Sequence, residues 1–345
     1  MNFTSSTAAR PAARSSSRIR WLAYFLALAC LLWVLHDIHP EKLLHDLRGI
    51  RWGWVVLGIV LDLLSYVVQG VRWRLLLLSF ARVRLSQTVR AIYAGLFANE
   101  ILPLRSGELL RTFLISRDTS IGLTQVFTTV GVERLMDGMV LATALGAASF
   151  FVSLPGEFAR AAKIFGVVIF SLSVLFMAGV IYLNRVPVLP EGAHPLRHRI
   201  RKKLAPLLEG IRVLGTSAGF YSAAATSPLI PTLQILALWA MSRAYGIGLE
   251  LGPMAAVLLI INFGVALPNA PANVGSYQFF CVLGLTLFGV EKTRAAGFSI
   301  VAYLLLTIPF LFFGFLAVAR SGLSVGDIRS RTSELFGSPE APPAK

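Results

Sequence analysis

Cysteine, histidine and acid are all scarce in this chain of 345 residues: two Cys, five His, and 17 Asp plus Glu. Cys30 and Cys281 both lie inside apolar runs, with no second Cys or His at ligand spacing. That excludes a disulfide framework and a Cys/His zinc site, and leaves both as packing residues. No His or Ser stands beside a base and no Asp-rich metal motif occurs, which disfavours an intramembrane enzyme acting on lipid phosphates. The expectation is a protein that is no enzyme and that uses no metal and no cofactor. Charge is scarce as well. Only 14% of residues are charged against 56% hydrophobic, too little polar material to cover a water-soluble globule.

What the chain has instead is length of apolar run. A helix needs about 20 residues to cross the ~30 Å hydrocarbon core, and runs of that kind recur from Trp21 to near Ala319. Full spans are expected at Trp21–Leu35, Trp52–Val71, Leu123–Val152, Ile164–Leu183, Pro228–Tyr245 and Ala295–Val318. Trp52 and Trp54 stand where an interfacial aromatic belt would place them, and Pro309 can kink its span. Two further segments are short and interrupted: Val89–Leu114, broken at Asn99–Gly107, and Met254–Val290, broken at Pro268–Gly275. Both are expected to be re-entrant helical hairpins. The fold class is therefore all-α: a polytopic integral membrane bundle of about six full spans plus two broken hairpins.

The net charge of +15 could suggest nucleic acid, but the Lys and Arg sit at the ends of apolar runs, a pattern that sets membrane orientation. With both termini on the cytoplasmic face, that face receives 23 Lys plus Arg and the opposite face receives seven. This satisfies the positive-inside rule for a multi-pass protein of the cytoplasmic membrane. Residues 1–18 then form a basic cytoplasmic arm, 19–320 the integral domain, and 321–345 a Ser- and Pro-rich tail expected to be disordered. The Trp21 run, with no small-residue cleavage site after it, reads as a retained span. Glu41–Ile50 and Ile200–Leu214 have one apolar face each and are expected to lie in the interface plane. The basic run before the second either recruits anionic head groups or simply sets topology.

In this topology the first hairpin enters from the cytoplasm and the second from the far side. Corresponding Gly/Pro-broken segments in two halves point to an inverted repeat with its binding site between the breaks.

Three motifs carry polar chemistry. Asn99-Glu100-x-x-Pro103-x-Arg105-Ser106-Gly107-Glu108-x-x-Arg111 puts acids, arginines and an amide at a broken hydrophobic segment. Such groups are costly at membrane depth unless they pair or face water. Ser106 can cap a helix whose free N–H groups seat a phosphate, with Arg105 and Arg111 beside it and Glu108 orienting Arg111. The plainer reading makes these ordinary cytoplasmic loop charges. Glu133-Arg134-x-x-Asp137 lies inside the Leu123 run, with Glu133 and Asp137 on one helical face. These acids either face a substrate cavity or form an internal ion pair with Arg72, Arg105 or Arg111 that fixes the bundle. The stretch from Pro268 to Gln278 is uncharged but rich in breakers and amides. Asn269, Asn273 and Gln278 either read head-group oxygens or cap helix ends. Asp62 and Arg243 are further isolated polar groups, read as buried partners.

At Gly70-Val-Arg72-Trp73 and at these three motifs the chain resembles the flippase-like membrane family related to the transmembrane region of lysylphosphatidylglycerol synthases, over roughly Trp21 to Arg320. The resemblance implies movement of a phospholipid or lipid-linked head group between leaflets. The chain departs from the family's pattern at Pro271-Ala272-Asn273 and at Gln278, which speaks against a proton-coupled or cation-reading role for that hairpin. The soluble aminoacyl-transferring domain of the synthases is not expected here.

The functional expectation is a lipid flippase or lipid-export factor. Its binding residues would be Asn99, Arg105, Ser106, Glu108, Arg111, Glu133, Arg134, Asp137, Asn269, Asn273 and Gln278, and its partners membrane lipids with a phosphate head group. The alternative is a non-transporting subunit that presents lipid to a separate synthase or glycosyltransferase.

Overall fold

The computed structural model describes residues 49–101, 107–151, scattered positions between 160 and 178, 213, 214, 217–266 and 273–322. The Trp21–Leu35 span, most of Glu41–Ile50, most of Ile200–Leu214, the basic arm, nearly all of the tail and the residues Arg105, Ser106 and Asn269 lie outside them.

The described elements are helical. In chain order they are α1 (Trp52–Leu77), α2 (Leu85–Ile101), α3 (Gly107–Asp118), α4 (Leu123–Phe151), α5 (Ala218–Thr226), α6 (Leu229–Ala244), α7 (Leu251–Ala266), α8 (Ser276–Leu287) and α9 (Lys292–Ala319). Among the described residues, three helices are long and apolar enough to cross a membrane: Trp52–Leu77, Ala218–Ala244 and Lys292–Ala319. Their 26 to 28 residues amount to about 40 Å of rise, which exceeds the hydrocarbon thickness. The middle one starts about ten residues before the Pro228 boundary expected from hydropathy. The Ser217 side chain caps Phe220 N at 3.1 Å and starts α5, and Ser227 N then bonds Ala223 and Ala224 carbonyls, so the chain stays helical into Pro228. Pro is tolerated there because the first turn of α6 has no use for its missing N–H.

Both interrupted segments are helix–break–helix units. α2 packs on α3, and α7 packs on α8. The first unit closes so tightly that a Cβ on Gly107 would stand 1.9 Å from the Gly95 carbonyl oxygen. Only hydrogen fits between the two backbones. The second break leads into α8 through Asn273 at φ 51° and Gly275 at φ 85°, left-handed values that asparagine and glycine accept most readily.

α1 and α6 run antiparallel along their length. Arg51 N donates to Ala244 O at 3.1 Å at one end, Trp54 stacks edge-on against Trp239, and Arg72 reaches Ser227 Oγ at the other. The arms of the two hairpins cross over between the halves: α2 packs against α9, and α7 packs against α4. The apolar core has two main parts, one under α1–α4 and the end of α9, the other under α6–α9 and the start of α1. Cys281 is buried in the second part, as a packing residue should be.

Candidate polar site at the first hairpin

α1, α3 and α4 bring six ionisable side chains to one place. Glu133 on α4 is the centre. Its Oε1 meets Arg72 Nη2 at 3.3 Å and its Oε2 meets Arg111 Nη1 at 3.0 Å, with all three side chains at most 4% exposed. One turn on, Asp137 Oδ1 accepts from Arg72 Nη1 at 2.5 Å. The i, i+4 spacing therefore works as expected, since one guanidinium on α1 spans both carboxylates. Arg111 makes an ion pair with Glu133 but no aligned hydrogen bond at Oε2, and its guanidinium lies 4.8 Å from the centre of the Trp73 ring. The ring face carries negative quadrupole charge, so it supplies part of what the single carboxylate does not. Trp73 is fixed in turn by Nε1–H donating to Thr129 Oγ1 at 2.9 Å.

This buried floor has a more open rim. Arg134 is half exposed and pairs with Glu108 on α3, and with Asp137 Oδ2 at 3.4 Å. Glu108 and Asp137 are about one-third exposed. Three cations and three anions thus cancel within the cluster, which removes most of the cost of placing charge at membrane depth. Floor and rim differ in solvent access, and so in how readily a partner can be exchanged.

The structure places the other residues singled out from sequence as follows. Asn99, at the end of α2, accepts from Gly107 N at 2.8 Å and ties the two sides of the break together. That N–H, the first of α3, is therefore not open to a phosphate. Gln278 is buried, and its Oε1 accepts from Gly275 N at 2.7 Å, so it caps the start of α8, the second of the two roles open to it from sequence. Asn273 lies half-buried at the left-handed turn before α8. Neither Asn273 nor Gln278 joins the charged cluster. Of the three arginines open as partners of the acids, the fold selects Arg72 and Arg111 together, whereas Arg105 lies outside the described residues. Thr129 and Trp73 were not assigned roles from the sequence pattern. The Trp73–Thr129 bond depends on the α1–α4 crossing and leaves no local signature.

Among the described residues, no group of three or more His, Cys, Asp or Glu could hold a metal ion. The family profile described as the lysylphosphatidylglycerol synthase TM region matches residues 20–314. No curated protein matches the chain.

Proposed function

Because the chain belongs to the family of the lysylphosphatidylglycerol synthase transmembrane region, a membrane family with a lipid-related role, we propose that it moves a phospholipid or lipid-linked head group between leaflets of the cytoplasmic membrane. The observation that carries this reading is the crossed packing of the two hairpins. The first arm of each hairpin lies against the long helix that follows the other, about an antiparallel α1–α6 pair. Such crossed contacts support two repeats of opposite topology, an architecture that builds its substrate path between the broken helices. In this reading six spans and two re-entrant hairpins make up the domain, with the termini cytoplasmic and the Arg105–Ser106 break facing the cytoplasm.

The charged cluster divides the work. Arg72, Glu133 and Arg111 form a fixed floor, while Glu108, Arg134 and Asp137 form an exchangeable rim. An arriving phosphate displaces a carboxylate from Arg134, and Arg105 adds a second cation. A cationic group on the same lipid replaces Arg134 on Glu108 or Asp137. Exchange of one ion pair for another costs far less than uncovering a charge, so the head group can enter without a large barrier.

The test is reconstitution in liposomes with a leaflet-specific head-group assay. Lipid movement above that of empty liposomes is expected. Lipid binding without movement would replace this reading by that of a subunit presenting lipid to a separate synthase or glycosyltransferase.

A further inference from the structure

Midway along α1 stands an acid that the charged cluster does not use. Asp62 is ten residues from Trp52 and ten from Arg72, about 15 Å of helix rise from either. It is 7% exposed, and its Oδ2 is buried with no hydrogen-bond partner. Among the described residues no Lys, Arg or His forms an ion pair with it.

What surrounds it is phenolic. Tyr66 on α1, Tyr93 on α2 and Tyr277 on α8 lie within electrostatic reach of Asp62. Tyr66 is also within reach of Glu100 on α2, whose Oε2 takes the Tyr303 hydroxyl of α9 at 3.5 Å, and Tyr303 packs on Tyr277 with ring centres 5.2 Å apart. Among the described residues, the other neighbours of α1 bring no cation to Asp62. Glu133 and Asp137 of α4 are engaged with Arg72, Arg243 of α6 stacks on Trp239 at 5.1 Å, and Tyr221 of α5 is 63% exposed. An acid without a cation at membrane depth is a functional marker, and chains of acids and hydroxyls there are the material of proton relays. Tyr66 and Tyr93 come from α1 and α2 and Tyr277 from α8, so movement of the two halves against each other changes the surroundings of Asp62.

We propose that Asp62 is a proton-binding site between the two halves, which takes a proton from water admitted on one face and returns it to water on the other, so that lipid movement is coupled to the proton gradient. Tyr66 and the Tyr303–Glu100 pair line the way from Asp62 towards the first hairpin break. The coupling rests on the lipid-moving reading above, whereas the proton site does not. Asp62 Oδ2–H is the bound state in the closed, dry arrangement. Release requires water to reach Oδ2, which requires the halves to part.

Two measurements on the full chain separate these claims. In liposomes of phosphatidylcholine and phosphatidylglycerol, an imposed acid gradient should speed lipid redistribution by the wild type several-fold, and a protonophore should abolish the gain. Asp62→Asn should redistribute lipid at a rate that ignores the gradient. Infrared difference spectra between acid and alkaline pH should show a protonated carboxyl band that vanishes in Asp62→Asn and returns, shifted, in Asp62→Glu. A band unaltered in Asp62→Asn would overturn the proton site. An Asp62→Asn protein that keeps the full gradient response would overturn the coupling. Should the wild type move no lipid, the lipid-moving reading and the coupling fail together, and the infrared result still decides the site.

Discussion

Replacing Glu133 by Gln removes one negative charge while keeping volume and a hydrogen-bonding oxygen. The consequence depends on what else each arginine touches. Arg72 keeps Asp137 at 2.5 Å, so it remains compensated. Arg111 does not: Glu133 is its ion-pair partner at 3.0 Å, and what remains beside it is the Trp73 face at 4.8 Å. Both members of that pair are at most 4% exposed, so no discount for solvent screening applies. Breaking a buried pair from one side costs roughly 3–5 kcal/mol, and the ring returns about 1–2 kcal/mol of it at a desolvated site. A net loss of about 1–4 kcal/mol remains, on the order of 2–6 °C in Tm for a domain of this size. The assay is thermal unfolding of purified protein in one detergent, compared with Arg111→Gln and with Glu133→Gln/Arg111→Gln. The double variant should be more stable than the sum of the singles predicts, because it restores neutrality. An unchanged Tm for Glu133→Gln, or strictly additive losses in the double variant, would refute the assignment of Glu133 to a structural floor.

Arg134→Gln should behave in the opposite way. Its side chain is half exposed, so the fold should lose no more than about 1 kcal/mol, while lipid movement in liposomes falls to the background rate. Gly107→Ala inserts a methyl 1.9 Å from the Gly95 carbonyl oxygen, and should lower folded yield and Tm by forcing the first hairpin apart, measured by fluorescence-detected gel filtration. Trp73→Phe keeps a ring under Arg111 but deletes the 2.9 Å bond to Thr129. Thr129 Oγ1 still donates to Val126 O at 2.7 Å, so the loss should be about 0.5–1.5 kcal/mol for one hydrogen bond, read by the same melts.

Much of this arrangement is legible in the chain because membrane depth imposes its own accounting. The breaks around Pro103 and Pro268 stand out, since Gly, Pro and Asn interrupt runs that would otherwise continue. Glu133 and Asp137 can be placed on one face because the helical period is known. Which arginine answers them could not be read. Arg72 lies 61 residues upstream of Glu133, and only the packing of α1 and α3 on α4 brings Arg72 and Arg111 to the same carboxylate. Asn99 and Gln278 illustrate the same limit. Either amide could have read a head group, and their bonding to Gly107 N and Gly275 N is decided by the geometry of the breaks. The tyrosines within reach of Asp62 come from three helices and share no spacing, so their grouping exists only in the folded bundle.

The central claim is that the two hairpin breaks line one path opening to opposite faces. Single cysteines at Ser106 and at Asn273, in a background without Cys30 and Cys281, can be labelled by a membrane-impermeant maleimide in right-side-out and in inverted vesicles. The account predicts that Ser106→Cys reacts from the cytoplasmic face and Asn273→Cys from the other. Labelling of both positions from one face would contradict it.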